Sequence, residues 1–406
     1  MRVPLSWLRD YVDLPEDIDP EAVGAALVRA GLEVERVEVL GEDVTGVVVG
    51  QVLAFDAEPQ KNGKTVRWCQ VEVGEAQPRG IVCGAGNFAV GDKVAVALPG
   101  SVLPGPFPIT ARRTYGHVSD GMICSARELG LGDEHDGILV LPPDSAIGAD
   151  VVAAFGLRDA VLDIAVTPDR SYCLSVRGVA REAATAFGLP FRDLGLVPAP
   201  PADDDGYPVV VLDTVGCDRY TARTVSGIDP TRVSPMWLQR RLILAGMRPV
   251  SLVVDVTNHV MLDLGQPLHA FDRDQLVGAI TVRAAEPGER ITTLDGVDRV
   301  LAHGELLICD DKGPVALAGV MGGRRAECSA TTTSIVLESA HFAAVPTARA
   351  ARRHKLPSEA SRRFERGVDH ALSPSAAQAA VGLLVRLAGA TADSGVTDAT
   401  TAAGVW

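Results

Sequence analysis

Residues 44–55, VTGVVVGQVLAF, mark the point where the chain changes texture. β-Branched residues crowd between glycines there, a composition that favours strands. The texture continues through VRWCQVEVG (66–74), RGIVCGA (79–85) and DKVAVALPG (92–100) to GMICS (121–125), punctuated by Gly and Pro. Such short runs predict a small antiparallel barrel or sandwich, not alternating β and α units. Upstream, Ser6 is expected to cap a helix whose inner face is Trp7, Leu8 and Tyr11. Asp19 followed by Pro20 predicts a second helix with a Val23, Leu27, Ala30 stripe, ended by Gly31. Downstream, 151–190 reads as helical, with VRGVAREAATAFGLP (176–190) the clearest amphipathic segment. A Pro- and Asp-rich stretch, 196–208, reads as a linker to a mixed α/β region reaching about 390. Within it SPMWLQRRLILAG (234–246) predicts a helix capped by Ser234 and ended by Gly246, residues 279–311 predict strands and tight turns, and 373–389 a closing helix.

The composition is that of a folded protein of several domains, with 47% hydrophobic and 22% charged residues over 406 positions. Aromatics are only 4%, so aliphatic side chains must fill the cores. The N-terminus, MRVPLSWLRDYVDLPED, is charged where a signal peptide needs an apolar core, which leads us to expect a cytoplasmic protein. Seven scattered cysteines contain no C-x-x-C pair, which argues against a zinc ribbon or a disulfide framework. A net charge of −14 argues against a general nucleic-acid coat protein. One stretch runs the other way: Arg349, Arg352, Arg353, Lys355, Arg362, Arg363 and Arg366 face only Glu359 and Glu365. An acidic protein with one basic stretch can hold a polyanion locally.

Several segments together resemble one family. IVCGAGN (81–87), GDKVAVALPGSVLP (91–104), ARRTYGHVSDGMICSARELGLG (111–132) and DEHDGILVLP (133–142) resemble the tRNA-binding oligonucleotide-fold module of bacterial phenylalanyl-tRNA synthetase β subunits. PLSWLRDYVDLP (4–15), AGLEVE (30–35) and VTPDRSYCLSVRGVARE (166–182) are similar to flanking segments of the same subunits. RPVSLVVDVTNHVMLDLGQPLHAFD (248–272), ALAGVMGG (316–323), IVLESAHF (335–342) and LPSEASRRFERGVD (356–369) resemble their editing module, in order. The chain departs from the family's usual reading at 58–67, EPQKNGKTVR, and at Asp169 and Tyr172.

The resemblance implies an α+β multidomain fold. It places a small split N-terminal domain (1–39 plus 152–195) around an inserted OB-fold β-barrel (40–151) that binds tRNA. A linker (196–208), a mixed α/β editing module (209–390) and a linker to further domains (391–406) follow. It further implies tRNA(Phe) and the synthetase α subunit as partners, with ATP and magnesium bound elsewhere in the whole enzyme and neither cofactor nor metal in this portion. Lys93, Arg112 and Arg113 are then expected backbone contacts for RNA, joined by Arg349, Arg352, Arg353, Arg362 and Arg363 near the acceptor end.

The chemistry of proofreading explains the editing residues. A pocket that accepts phenylalanine rejects an added hydroxyl by only about 10²-fold, so tyrosine is mischarged. A second pocket that hydrogen-bonds the hydroxyl can discriminate by roughly 10⁴ or more, and a carboxylate is the strongest acceptor for it. By resemblance Glu338 is that acceptor, and His269 orients the ester or water, with acid–base work open to it. Arg248 is expected to hold the terminal adenosine or its phosphate. Thr257, Asn258, Ala318, Gly319, Gly322, Ser358 and Ala360 are expected to line the pocket. There is no G-x-S-x-G elbow and no H-E-x-x-H, so a bound water is the expected nucleophile. The alternative is a non-catalytic tRNA-docking or scaffold fragment.

Overall fold

The computed structural model describes residues 1–401 apart from 43, 61, 62, 64, 106 and 131–136. Lys61, Asn62 and Lys64 of the departing 58–67 turn, and 402–406 of the expected terminal linker, lie outside the described residues.

The chain opens with β1 (Arg2–Pro4), then α1 (Pro20–Arg29) and β2 (Glu33–Leu40). The Asp19 side chain accepts from Glu21 N and caps α1 as expected. The β-rich segment follows: β3 (Thr45–Pro59), β4 (Thr65–Glu72), β5 (Arg79–Cys83) and β6 (Lys93–Leu103). A hairpin pairs Arg112–Thr114 with His117–Ser119. The chain then returns as β7 (Asp159–Ala165) and α2 (Val176–Phe187). β7 lies between β1 and β2, antiparallel to both, so residues flanking the β-rich segment pair with each other.

In the β-rich segment the strands run Met122–Ile123, β6, β3, β4, β5. Two aliphatic clusters fill it, one around Val47, Ala95 and Leu103 and one around Val71, Ile81 and Val96. The ladder does not close into a barrel among the described residues. One backbone hydrogen bond, Asp120 N to Gly80 O at 2.8 Å, crosses the remaining gap.

The second half runs β8 (Cys217–Ser226), α3 (Met236–Leu244), α4 (Leu252–Leu264), β9 (Leu268–Asp272), β10 (Ile280–Ala284), β11 (Leu306–Asp310), β12 (Gly313–Leu317), β13 (Ser334–Phe342), α5 (Ala344–His354), α6 (Glu359–Arg366), α7 (Ser373–Ala388) and β14 (Thr391–Thr400). Two larger sheets form: β9-β13-β8-β14, and one ordered Val209–Val211, β10, β11, β12, Met321–Gly322. One face of the first sheet joins a core that also holds Trp7, Val179, Leu242, Val256 and Leu384. The first and last parts of the chain therefore share one hydrophobic interior, and the architecture is multidomain α+β. With its preceding turn, α7 (His370–Ala388) is long and apolar enough by composition to span a membrane. Its Ala376, Ala380, Val381 and Leu384 are buried in that shared core instead.

Three local expectations differ. Ser6 caps nothing: its hydroxyl donates to Asp159 Oδ2 at 2.6 Å, beside the one-turn helix Leu5–Leu8. Ser234 likewise donates to Asp255, and α3 starts after Pro235 without a side-chain cap. In both cases a buried carboxylate outcompetes the helix end for the hydroxyl. The polar tail expected as a linker is β14, which pairs along β8 from Arg219 to Ser226 and buries Val396. Even the 196–208 stretch is tied to it, by Asp203 N to Val396 O. All seven cysteines are free thiols, six of them buried.

Candidate functional site

β13 is the strand that matters. Ile335 to Ala340 are all buried, because helices cover one face and the second sheet covers the other. Glu338 interrupts this apolar run in mid-strand, not at a strand end, with only 6% of its surface exposed. In the register of the sheet His269 of β9 lies directly opposite Glu338, and Ala222 of β8 lies opposite on the other side. Side chains alternate along a strand, so Tyr220, Ala222, Glu338 and His269 share one face.

That face looks into a small chamber of about 70 Å³, walled by Ile308, Leu317, Val320, Ala360 and Phe364 and reached by Gly319 and Gly322. Gly319 has φ +68°, and a Cβ there would come within about 3.2 Å of Phe364, Phe342 and Thr347. A Cβ on Gly322 would meet the His269 ring at 2.5 Å. Both glycines thus let the backbone approach the chamber. His269 also lines a larger, open cleft of about 830 Å³ together with Ser251, Asp255, Thr257, Asn258 and Leu294. With Leu268, it lines both cavities.

The polar groups are few and sharply placed. The Tyr220 hydroxyl, fully buried, donates to Glu338 Oε2 at 2.7 Å. Glu338 Oε1 has no hydrogen-bond partner among the described residues. Burial pushes the Glu338 carboxyl up to about 7, while the Tyr220 hydrogen bond pulls it down. Burial also depresses the His269 imidazole to about 4, so the ring is neutral at physiological pH. A neutral ring can donate or accept a hydrogen bond but carries no charge.

Sequence-expected residues divide accordingly. His269, Glu338, Gly319, Gly322 and Ala360 meet at the chamber, and Thr257 and Asn258 line the cleft. Ala318 is buried beside it with its amide bonded to Leu306 O. Arg248 is exposed and lines neither cavity, although its neighbours Pro249 and Val250 line the cleft. Ser358 caps α6: its hydroxyl accepts from Ser361 N and donates to Val320 O at 3.1 Å, so it braces the chamber wall and does not line it. The residue that sequence reasoning missed is Tyr220. The alternation in CDRYTARTVS could have placed it on a face with Ala222, but not beside a strand more than a hundred residues away.

The basic residues also divide. Arg349, Arg352 and Arg353 are exposed on α5, with Arg353 reaching Glu305 at 3.2 Å. Arg362 is half-buried on α6, 3.7 Å from Glu359. Arg363 is 1% exposed and is no RNA contact. Its Nε donates to Leu174 O at 3.0 Å and its Nη1 to Glu359 Oε2 at 2.7 Å, so it fastens α6 onto the first part of the chain. In the β-rich segment Arg112 and Arg113 are exposed on the hairpin, while Lys93 is half-buried at the start of β6. Arg112 borders a groove of about 760 Å³ with Phe107 and Arg127. Among the described residues no group of three or more His, Cys, Asp or Glu could hold a metal ion.

A family model described as a putative tRNA binding domain matches residues 47–150, and one described as a B3/4 domain matches 216–389. The phenylalanine–tRNA ligase beta subunit of Streptomyces avermitilis is 58% identical over 410 residues, covering 99% of this chain and 49% of that protein. Its counterpart in Thermobifida fusca is 53% identical over 403 residues, covering 98% and 48%. A solved N-terminal fragment of the phenylalanyl-tRNA synthetase beta subunit from Pyrococcus horikoshii aligns with 58% of this chain and 63% of its own, at 14% identity and a TM-score of 0.33, too low to compare folds. The chain spans about half the length of the curated relatives it matches. Identity above one half is sustained across almost every residue of the chain, which is similar throughout to about half of these phenylalanine–tRNA ligase beta subunits.

Proposed function

We propose that this chain binds tRNA(Phe) and hydrolyses the ester of tyrosine mischarged onto it. One observation carries the reading. Two polar groups without partners among the described residues, Glu338 Oε1 and the His269 ring, face one otherwise apolar chamber. A carboxylate oxygen facing a largely apolar chamber gains a strong partner when a ligand supplies the donor. A tyrosine side chain entering from the cleft would present its hydroxyl to Glu338, and phenylalanine would leave that carboxylate unpaired. The ester would then lie near His269, whose neutral ring can hold the attacking water or the ester oxygen. The cleft beyond, with Thr257 and Asn258, has room for the terminal adenosine.

Residues 40–151 act as an OB-type tRNA-binding unit inserted in a domain made of 1–39 and 152–195, and 209–390 form the editing module. Arg112, Arg113, Lys93 and the α5–α6 arginines other than Arg363 contact the RNA backbone. The whole subunit, with an α subunit, would ligate phenylalanine to tRNA in the cytoplasm, its ATP and magnesium sites outside this chain. The test is deacylation of Tyr-tRNA(Phe) against Phe-tRNA(Phe). The parent should clear the tyrosyl ester selectively, and Glu338→Ala and His269→Ala should each slow it at least about tenfold. Variants as fast as the parent would show the pocket assignment to be wrong. A parent inactive on both esters would favour a docking fragment.

A further inference from the structure

We propose that Tyr220 is a positioning residue for substrate discrimination: its hydroxyl occupies Oε2 of Glu338, which leaves Oε1 as the acceptor for the substrate hydroxyl. The inference rests on the editing reading above. Tyr220 lies on β8 two residues from Ala222, the register partner of Glu338, so its ring runs along the same face and its hydroxyl ends at the carboxylate, 2.7 Å away. Tyr220 is fully buried and makes no other side-chain hydrogen bond among the described residues. A carboxylate offers two oxygens in one plane, so pinning one fixes where the other points.

No cation lies within ion-pairing distance of Glu338 among the described residues, whereas Asp159 has Arg240 and Asp310 has Arg325. The Tyr220 hydroxyl is therefore the described group that favours the ionised form, against a burial that favours the neutral acid. Without it, Glu338 would hold its proton through neutral pH. A neutral acid is a weaker acceptor for a phenol than a carboxylate, so the pocket would lose its preference for tyrosine. Tyr220 itself lines neither cleft nor chamber, which separates its role from that of Glu338.

The test is single-turnover deacylation of Tyr-tRNA(Phe) and Phe-tRNA(Phe) between about pH 5.5 and 8.5 by the parent, Tyr220→Phe, Glu338→Gln and the double variant. The parent's tyrosyl rate should rise through an acid limb near neutrality. Tyr220→Phe should move that limb up by about one pH unit and lower the tyrosyl-to-phenylalanyl rate ratio at pH 6.5 about tenfold. On the Glu338→Gln background the same substitution should change neither. 3-Fluorotyrosine at position 220 keeps the hydroxyl and strengthens its donation, and should move the limb down; it serves also if the phenylalanine variant folds poorly. A Tyr220→Phe effect that is equal at every pH, or undiminished on the Gln background, would mean that Tyr220 only fills the core, and would overturn the inference while leaving the editing reading intact. A parent that clears neither ester overturns both.

Discussion

Glu338 is the residue at which stability and the proposed specificity are set against each other. Its folded carboxyl titrates near 7 and its unfolded one near 4.5, so between those values the folded chain binds more protons than the unfolded. Stability therefore falls as pH rises through that window. Glu338→Gln, which keeps an acceptor for Tyr220, should raise unfolding free energy by on the order of 3 kcal/mol at pH 8 and by nothing at pH 4. Denaturant unfolding at the two pH values checks this, and an equal effect at both would mean the carboxylate is not held up by burial. Arg363 shows the reverse case. Read from the sequence it is one more cation in a basic run, yet it is the most deeply buried of them and bonds Leu174 O and Glu359. Arg363→Ala should cost about 3 kcal/mol by leaving these acceptors unpaired. Arg349→Ala and Arg352→Ala should leave the melting temperature unchanged, weaken tRNA binding and reduce its salt dependence.

At the scale of elements, the chamber is built by a strand, a turn and a helix start. The Ser358 hydroxyl joins the last two, capping α6 and reaching Val320 O across to the 317–322 turn. Ser358→Ala should lower stability by about 1 kcal/mol and slow tyrosyl deacylation, whereas Ser358→Thr, which keeps the hydroxyl, should preserve both. Thermal melts with parallel deacylation assays decide it. The helices were legible where periodicity and caps agreed, as for Asp19-Pro20 of α1 and the 373–389 run that became α7. They were misread where a hydroxyl had a distant carboxylate to bond, as Ser6 has Asp159 and Ser234 has Asp255. Local sequence offers the cap, and only the fold supplies the competitor. β14 escaped notice for a related reason: its polar, small residues carry no strand signal, and pairing with β8 makes the strand.

For the whole molecule, the segments flanking the β-rich region share one core with the helices of the second half, where Trp7 stacks on His259 at 4.7 Å. Removing residues 391–406 would strip β14 from β8, the strand that carries Tyr220. The truncated chain should melt at lower temperature, self-associate through the exposed β8 edge and lose tyrosyl deacylation, as size-exclusion chromatography and activity would report. By itself the sequence determined the α+β composition, the β-rich insertion from 44 onward, the helices with local caps, and the motifs that hold His269, Glu338 and the chamber glycines. Those are properties of neighbouring residues, and their periods and spacings are written along the chain. Only the tertiary structure decided that His269 and Glu338 face each other, that Tyr220 completes the pair, that Arg363 is buried and that Arg248 lies outside both cavities. Strand register, and the burial that moves the Glu338 and His269 carboxyl and imidazole in opposite directions on the pH scale, arise when distant segments exclude water together.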